Sequence, residues 1–168
     1  MRLFVAGSVD RNIRENISLW QKKFEDFPLR PIPRENLHIT FIAPWNTQNV
    51  DEAEEILHTL IWDEGAIPVK IDEIVTKKSL AWAHVKEDKK LYMLRKRLHR
   101  IYEKKEERRR HKFHITLARY NNGYVTRQMK REMKSKLDWN MTIRDIVLFR
   151  SDLTPEGAIH TPLTQISL

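Results

Sequence analysis

The string His38-Ile39-Thr40-Phe41 returns almost unchanged as His114-Ile115-Thr116-Leu117, 76 positions further along a chain of 168 residues. No other feature limits the fold as strongly. In an extended strand, residues i and i+2 project from the same face. Each copy therefore sets an imidazole and a hydroxyl side by side. Two such strands, related by a pseudo-two-fold axis, would line a cleft with two imidazoles and two hydroxyls. One imidazole can accept a proton while the other donates one. The hydroxyls can hydrogen-bond a tetrahedral anion. These groups suit phosphoester chemistry without a metal.

A lone His-x-Thr is an ordinary strand sequence. The weight lies in two copies at matching places of the two halves. Around them the pattern reads β-α-β-α-β-β-α-β-α-β-β. The expected strands are Leu3–Ser8, Leu37–Ala43, Ile67–Val75, Leu80–Val85, Phe113–Arg119, Trp139–Phe149 and Ile159–Ile166. Helices are expected over 11–26, with Asp10 as N-cap, and over 49–62, 88–107 and 126–136. Pro28, Pro31 and Pro33 argue against regular structure before the first motif. No Gly/Ser linker divides the chain. The expectation is an α+β fold, residues 1–168 forming a single bilobal domain. Each of its two pseudo-symmetric lobes is an antiparallel sheet with helices on its outer face, and the His-x-Thr strands line the central cleft.

Cysteine is absent, which removes disulfides, thiolate metal sites and cysteine nucleophiles. The seven histidines show no His-x3-His pair and no acidic partner at ligand spacing, so no metal or cofactor is expected. His58 and His99 read as surface residues, and His84 as a partly buried one. No apolar run approaches the ~20 residues of a membrane helix. The short apolar N-terminus reads as a strand and not as a secretory signal, so a cytoplasmic monomer is expected.

The net charge is +8, and segment 86–112 carries all of the excess, with thirteen Lys and Arg against five acids. A localised basic segment is a candidate phosphate-backbone surface. Phe41, Trp45 and Trp82 are candidates for stacking on a base, with Trp45 foremost because it follows the first motif strand. Lys112 has the parity to share the His114 face. Arg119 has odd spacing, so an unbroken strand points it away, although it sits where a strand end could reach phosphate.

The text around the motifs resembles the RNA 2',3'-cyclic phosphodiesterase family, also called 2'-5' RNA ligases, within the 2H phosphoesterase superfamily. The similar stretches are Arg2-Leu3-Phe4-Val5-Ala6, Glu35 to Thr40, His114 to Arg119, and Leu148 to Leu153 with Gly157-Ala158 and Leu163. Three departures stand out. Ala43-Pro44-Trp45 replaces the family's Leu-Gly, Phe113 replaces a Pro, and His160 stands where a Tyr is common.

The resemblance implies hydrolysis of a terminal 2',3'-cyclic phosphate on RNA to a 2'-phosphate, with 2'-5' ligation as the reverse path. It implies His38 as proton donor to the departing 3'-oxygen and His114 as acceptor from water. Symmetry alone does not choose between these roles. Thr40 and Thr116 would bind the non-bridging oxygens, with Phe41, Trp45, Lys112 and Arg119 as further substrate contacts. The partner implied is RNA with a cyclic phosphate end, tRNA fragments included. Two alternatives are a phosphodiesterase of small cyclic or 2'-5' linked nucleotides, and a non-catalytic RNA-end binding protein on the same fold.

Overall fold

The computed structural model describes residues 1–105, 111–155 and 157–168. Its strands are β1 (Arg2–Ser8), β2 (Leu29–Pro31), β3 (His38–Asn46), β4 (Ile67–Lys77), β5 (Leu80–Val85), β6 (His114–Tyr120), β7 (Ser135–Ile143), β8 (Asp145–Thr154) and β9 (Gly157–Ser167). The helices are α1 (Arg11–Lys23), α2 (Val50–His58), α3 (Lys89–Ile101) and α4 (Arg127–Glu132). The strand order is β7-β4-β5-β6-β3-β1-β8-β9, and all pairs are antiparallel. Each motif strand is the innermost of four, so the order is symmetric about the β6–β3 junction. The C-terminal hairpin β8–β9 returns to complete the first motif's lobe.

The junction itself is narrow. β3 and β6 meet in register at Ile39 opposite Ile115, both wholly buried. Beyond that point the strands part, and β2 pairs with the end of β6 through Leu29–Tyr120, Arg30–Arg119 and Pro31–Ala118. The proline-rich stretch thus holds a short strand that its sequence argued against. Pro31 lacks an N–H, yet a three-residue edge strand tolerates that.

The helices place their apolar stripes as the spacing predicts: Ile13, Ile17 and Trp20 on α1, and Leu91, Leu94 and Leu98 on α3. They are shorter than expected. α2 stops at His58, leaving Ile61 exposed. α3 stops at Ile101, followed by Glu103 with φ of 50°. Asp88 and Asn49 cap α3 and α2 by accepting from Lys90 N and Glu52 N. Asp10 occupies the N-cap position of α1 but spends its carboxylate on Thr142 N and Arg144. The expected strand Trp139–Phe149 is two strands that turn at Arg144.

Candidate active site

His38, Thr40, His114 and Thr116 line one cleft of about 700 Å³. The antiparallel register explains their arrangement. With Ile39 opposite Ile115, His38 lies across from Thr116, and Thr40 across from His114. Each imidazole is thus flanked by a hydroxyl of its own strand and one of the other. The isoleucines between them point to the opposite face and anchor the site in the core.

Both imidazoles are held in the same way. Nδ1 of His38 donates to the carbonyl of Asn36 at 2.6 Å, and Nδ1 of His114 to that of Lys112 at 2.8 Å. Each bond reaches back two residues and fixes the neutral tautomer, so the Nε2 lone pair remains for chemistry. An aromatic ring packs against each: Phe4 at 4.9 Å from His38 and Trp82 at 3.9 Å from His114, between centroids. Burial holds the His38 pKa down to about 4, with the positive charges of His160, His114 and Arg14 adding to the effect. Burial also lowers His114, helped by the charges of His84 and Lys77. In the free protein both rings are neutral near pH 7, and protonating one calls for an anion beside it.

Each motif strand bulges at the residue after its threonine. Ala6 pairs with Thr40 and Val5 with Ile42, which leaves Phe41 as the extra residue. Trp82 pairs with Thr116 and Ala81 with Ala118, which leaves Leu117 extra. A bulge reverses the side-chain parity beyond it. Arg119 is thereby turned onto the cleft face, where it lines the site. The matching position of the first motif is Ala43, so this arginine stands on one side only and breaks the symmetry. Side chains of α1 and α3 satisfy the bulged carbonyls. Gln21 Nε2 donates to Leu117 O at 2.9 Å, and His99 Nε2 lies 3.2 Å from Phe41 O. His99, expected at the surface, is buried for this reason.

Three expected substrate contacts lie elsewhere. Phe41 shares the core-facing side of β3 with Ile39, wholly buried against Phe113 at 5.5 Å. Trp45 packs on Tyr102 at 5.3 Å under Lys104, outside the cleft lining. Lys112 contributes its carbonyl to His114, while its side chain is exposed and away from the lining. The cations that do line the cleft are Arg2, Arg30, Arg119 and, when protonated, His160. None lies in segment 86–112, of which residues 106–110 fall outside the described residues. Three basic residues of α3 serve the fold: Arg95 is buried, Lys90 bonds Glu64 O, and Arg97 bonds Ile61 O and covers Trp62.

The structure also gathers a cluster that spacing did not reveal. Asp72, Glu73 and His84 hold ligand-type atoms within 4.8 Å of one another. Against β5, Asp72 is the extra residue of a bulge in β4, and it joins Glu73 in the same cluster. Asp72 Oδ1 accepts from His84 Nδ1 at 2.8 Å, and Glu73 accepts from Lys136 at 2.7 Å. These internal ion pairs account for the group. His84 is the cross-strand partner of His114, so the pair sits beside the site.

The comparisons with known proteins agree with this architecture. The family model described as the 2'-5' RNA ligase superfamily matches residues 9–155. A curated relative, the RNA 2',3'-cyclic phosphodiesterase of Archaeoglobus fulgidus, is 30% identical over 173 aligned positions, covering 97% of this chain and 98% of that protein. Among solved structures, a Thermus thermophilus protein superposes with a TM-score of 0.80 at 21% identity, covering 100% of this chain and 98% of that one. Escherichia coli LigT complexed with 3'-AMP gives 0.78 at 22% identity, covering 99% and 97%. The bilobal curled sheet is therefore shared with these structures, and the chain belongs to the 2'-5' RNA ligase superfamily of 2H phosphoesterases.

Proposed function

We propose that the protein is an RNA 2',3'-cyclic phosphodiesterase, which opens the terminal cyclic phosphate to a 2'-phosphate. The observation that carries this reading is the placement of His38 and His114 in one cleft, each with Nδ1 tied to a backbone carbonyl and Nε2 left for the substrate. The relative from Archaeoglobus fulgidus, which spans the same length, supports the choice of ester.

The reaction follows from the groups present. Water attacks phosphorus and passes a proton to Nε2 of His114. The bond from phosphorus to the 3'-oxygen breaks, and Nε2 of His38 protonates that oxygen. The product carries a 2'-phosphate and a free 3'-hydroxyl. Thr40 and Thr116 donate to the non-bridging oxygens, where negative charge grows in the transition state. Arg119, present on one side only, gives a near-symmetric cleft a direction. His38 becomes the proton donor only as the phosphate anion enters and offsets the burial that holds it neutral. Incubation with an RNA ending in 2',3'-cyclic phosphate tests the reading. The RNA should gain the mass of one water. An RNA recovered unchanged would contradict it.

A further inference from the structure

The two imidazoles are bound alike, yet their neighbours across the sheet differ. β3 pairs outward with β1 and β6 with β5, so Thr40 meets Ala6 and Thr116 meets Trp82. An indole thus stands at the second motif where the first has a methyl group. Trp82 is one of the rings expected to stack on a base, but it lies outside the cleft lining. Its ring packs on His114 instead, with centroids 3.9 Å apart and planes tilted by 46°. The phenyl ring nearest His38 is that of Phe4, at 4.9 Å.

The indole is kept at a cost. Its Nε1 is buried without a hydrogen-bond partner, and an orphaned donor destabilises a fold. A phenyl or aliphatic side chain would cover His114 without one. What an indole adds is the ring face that best attracts a cation, within about 6 Å of its centroid. Lys77 already places its ammonium 5.5 Å from this ring. The imidazole of His114 lies closer still, and it becomes a cation when it takes a proton.

From this contact we infer that Trp82 is a positioning residue acting through His114: its ring face stabilises the imidazolium that forms as water loses its proton. The other groups around His114 pull both ways. Burial and the charges of His84 and Lys77 oppose a proton there, while the Lys112 carbonyl at Nδ1 favours it. His84, the cross-strand partner, is itself tied to Asp72. Across the junction stand Thr40 and His38, and Arg119 lies further along β6. The indole face acts only once charge appears, so it stabilises the transition state relative to the neutral resting ring. Phe4 offers His38 a weaker face, which gives the acceptor role of His114 a physical basis. The inference rests on the proposed function for the direction of proton transfer.

The test is a histidine-resolved NMR titration of the ligand-free protein, alongside kcat/KM for a 2',3'-cyclic nucleotide on the alkaline side of the profile, where both rings start neutral. Trp82→Phe keeps a weaker ring face, and Trp82→Leu keeps only apolar cover. The His114 midpoint should move to lower pH stepwise from Trp to Phe to Leu. The rate should fall in the same order, by about tenfold for Leu. Affinities for a nucleoside 2'-monophosphate and for inorganic phosphate should keep their ratio. Loosened packing would admit water to the ring and move the midpoint up, so a midpoint that stays or rises would overturn the inference. Nucleotide affinity that drops while phosphate affinity holds would make Trp82 a base contact and overturn it as well. Should Trp82→Leu fail to fold, Trp82→Phe carries the same signs. The titration needs no turnover. A stepwise shift in a protein that leaves cyclic phosphates intact would keep the Trp82–His114 pairing and remove the proposed reaction, so the two failures are distinct.

Discussion

Ile39 stands opposite Ile115, and through that buried pair the two motif strands join. All four polar groups of the site are immediate neighbours of these two residues. Ile115→Ala should therefore do more than leave a cavity. Loss of a fully buried isoleucine costs about 2–5 kcal/mol. Urea unfolding should show that loss, and the folded fraction should also turn over cyclic phosphate more slowly. A destabilised variant with unchanged kcat would mean that the junction does not position the site.

His38→Ala and His114→Ala should each lower kcat by about 10²–10⁴, the usual contribution of a general acid or base. Thr40→Ala and Thr116→Ala should lower it less, since each transition-state oxygen retains other donors. The donor set is imidazole and hydroxyl, and turnover should survive EDTA. Abolition by EDTA, restored by a divalent cation, would redirect attention to Asp72, Glu73 and His84.

The pH dependence of kcat/KM reports the free protein. The active form has one imidazole protonated and one neutral, so it exists between the two macroscopic pKa values of the pair. Burial lowers His38 to about 4 and also lowers His114. The optimum of kcat/KM should lie on the acid side of the ordinary imidazole value of about 6.5. It should fall as pH rises through the upper limb, where the proton donor is lost. In kcat the same limb should move to higher pH, because bound phosphate favours the imidazolium. Stability runs in the opposite direction. The unfolded chain protonates His38 near 6.5 and the folded one near 4, so stability is lost as pH falls through that interval. Wild-type protein should lose more between pH 7 and 4.5 than His38→Gln does, by urea midpoint.

Lys96 and Arg100 are exposed cations on α3, outside the cleft lining. Replacing both by Gln should leave turnover of a cyclic mononucleotide unchanged. If α3 touches the RNA body, affinity for long RNA should fall and its salt dependence become shallower, by about 0.7 in slope for each phosphate contact removed. An unchanged slope would assign these charges to a solvated face.

The site is legible in the chain because period-two alternation fixes what His38 and Thr40 share, and repetition at His114 and Thr116 supplies the second half. The helical stripes are legible for a similar reason. Phe41 keeps the Ile39 side that alternation gives it, so its burial needs no bulge. Arg119 does need one: the extra residue at Leu117 brings it to the cleft, where unbroken alternation points it away. Bulges depend on cross-strand register, which no local pattern encodes. His99 escapes the pattern for the same reason, since its partner is the carbonyl that the first bulge releases. His160 and Arg2 reach the site through strands distant in sequence, and only the closing of the sheet brings them to His38.

The most direct test of the central claim is the identity of the phosphate left on the RNA. A substrate ending in 2',3'-cyclic phosphate should be opened by the wild-type protein and by neither His38→Ala nor His114→Ala at a comparable rate. The product should resist a phosphatase specific for 3'-phosphate, because the phosphate remains on the 2'-oxygen. A product that this phosphatase strips, or equal rates from the histidine variants, would contradict the account.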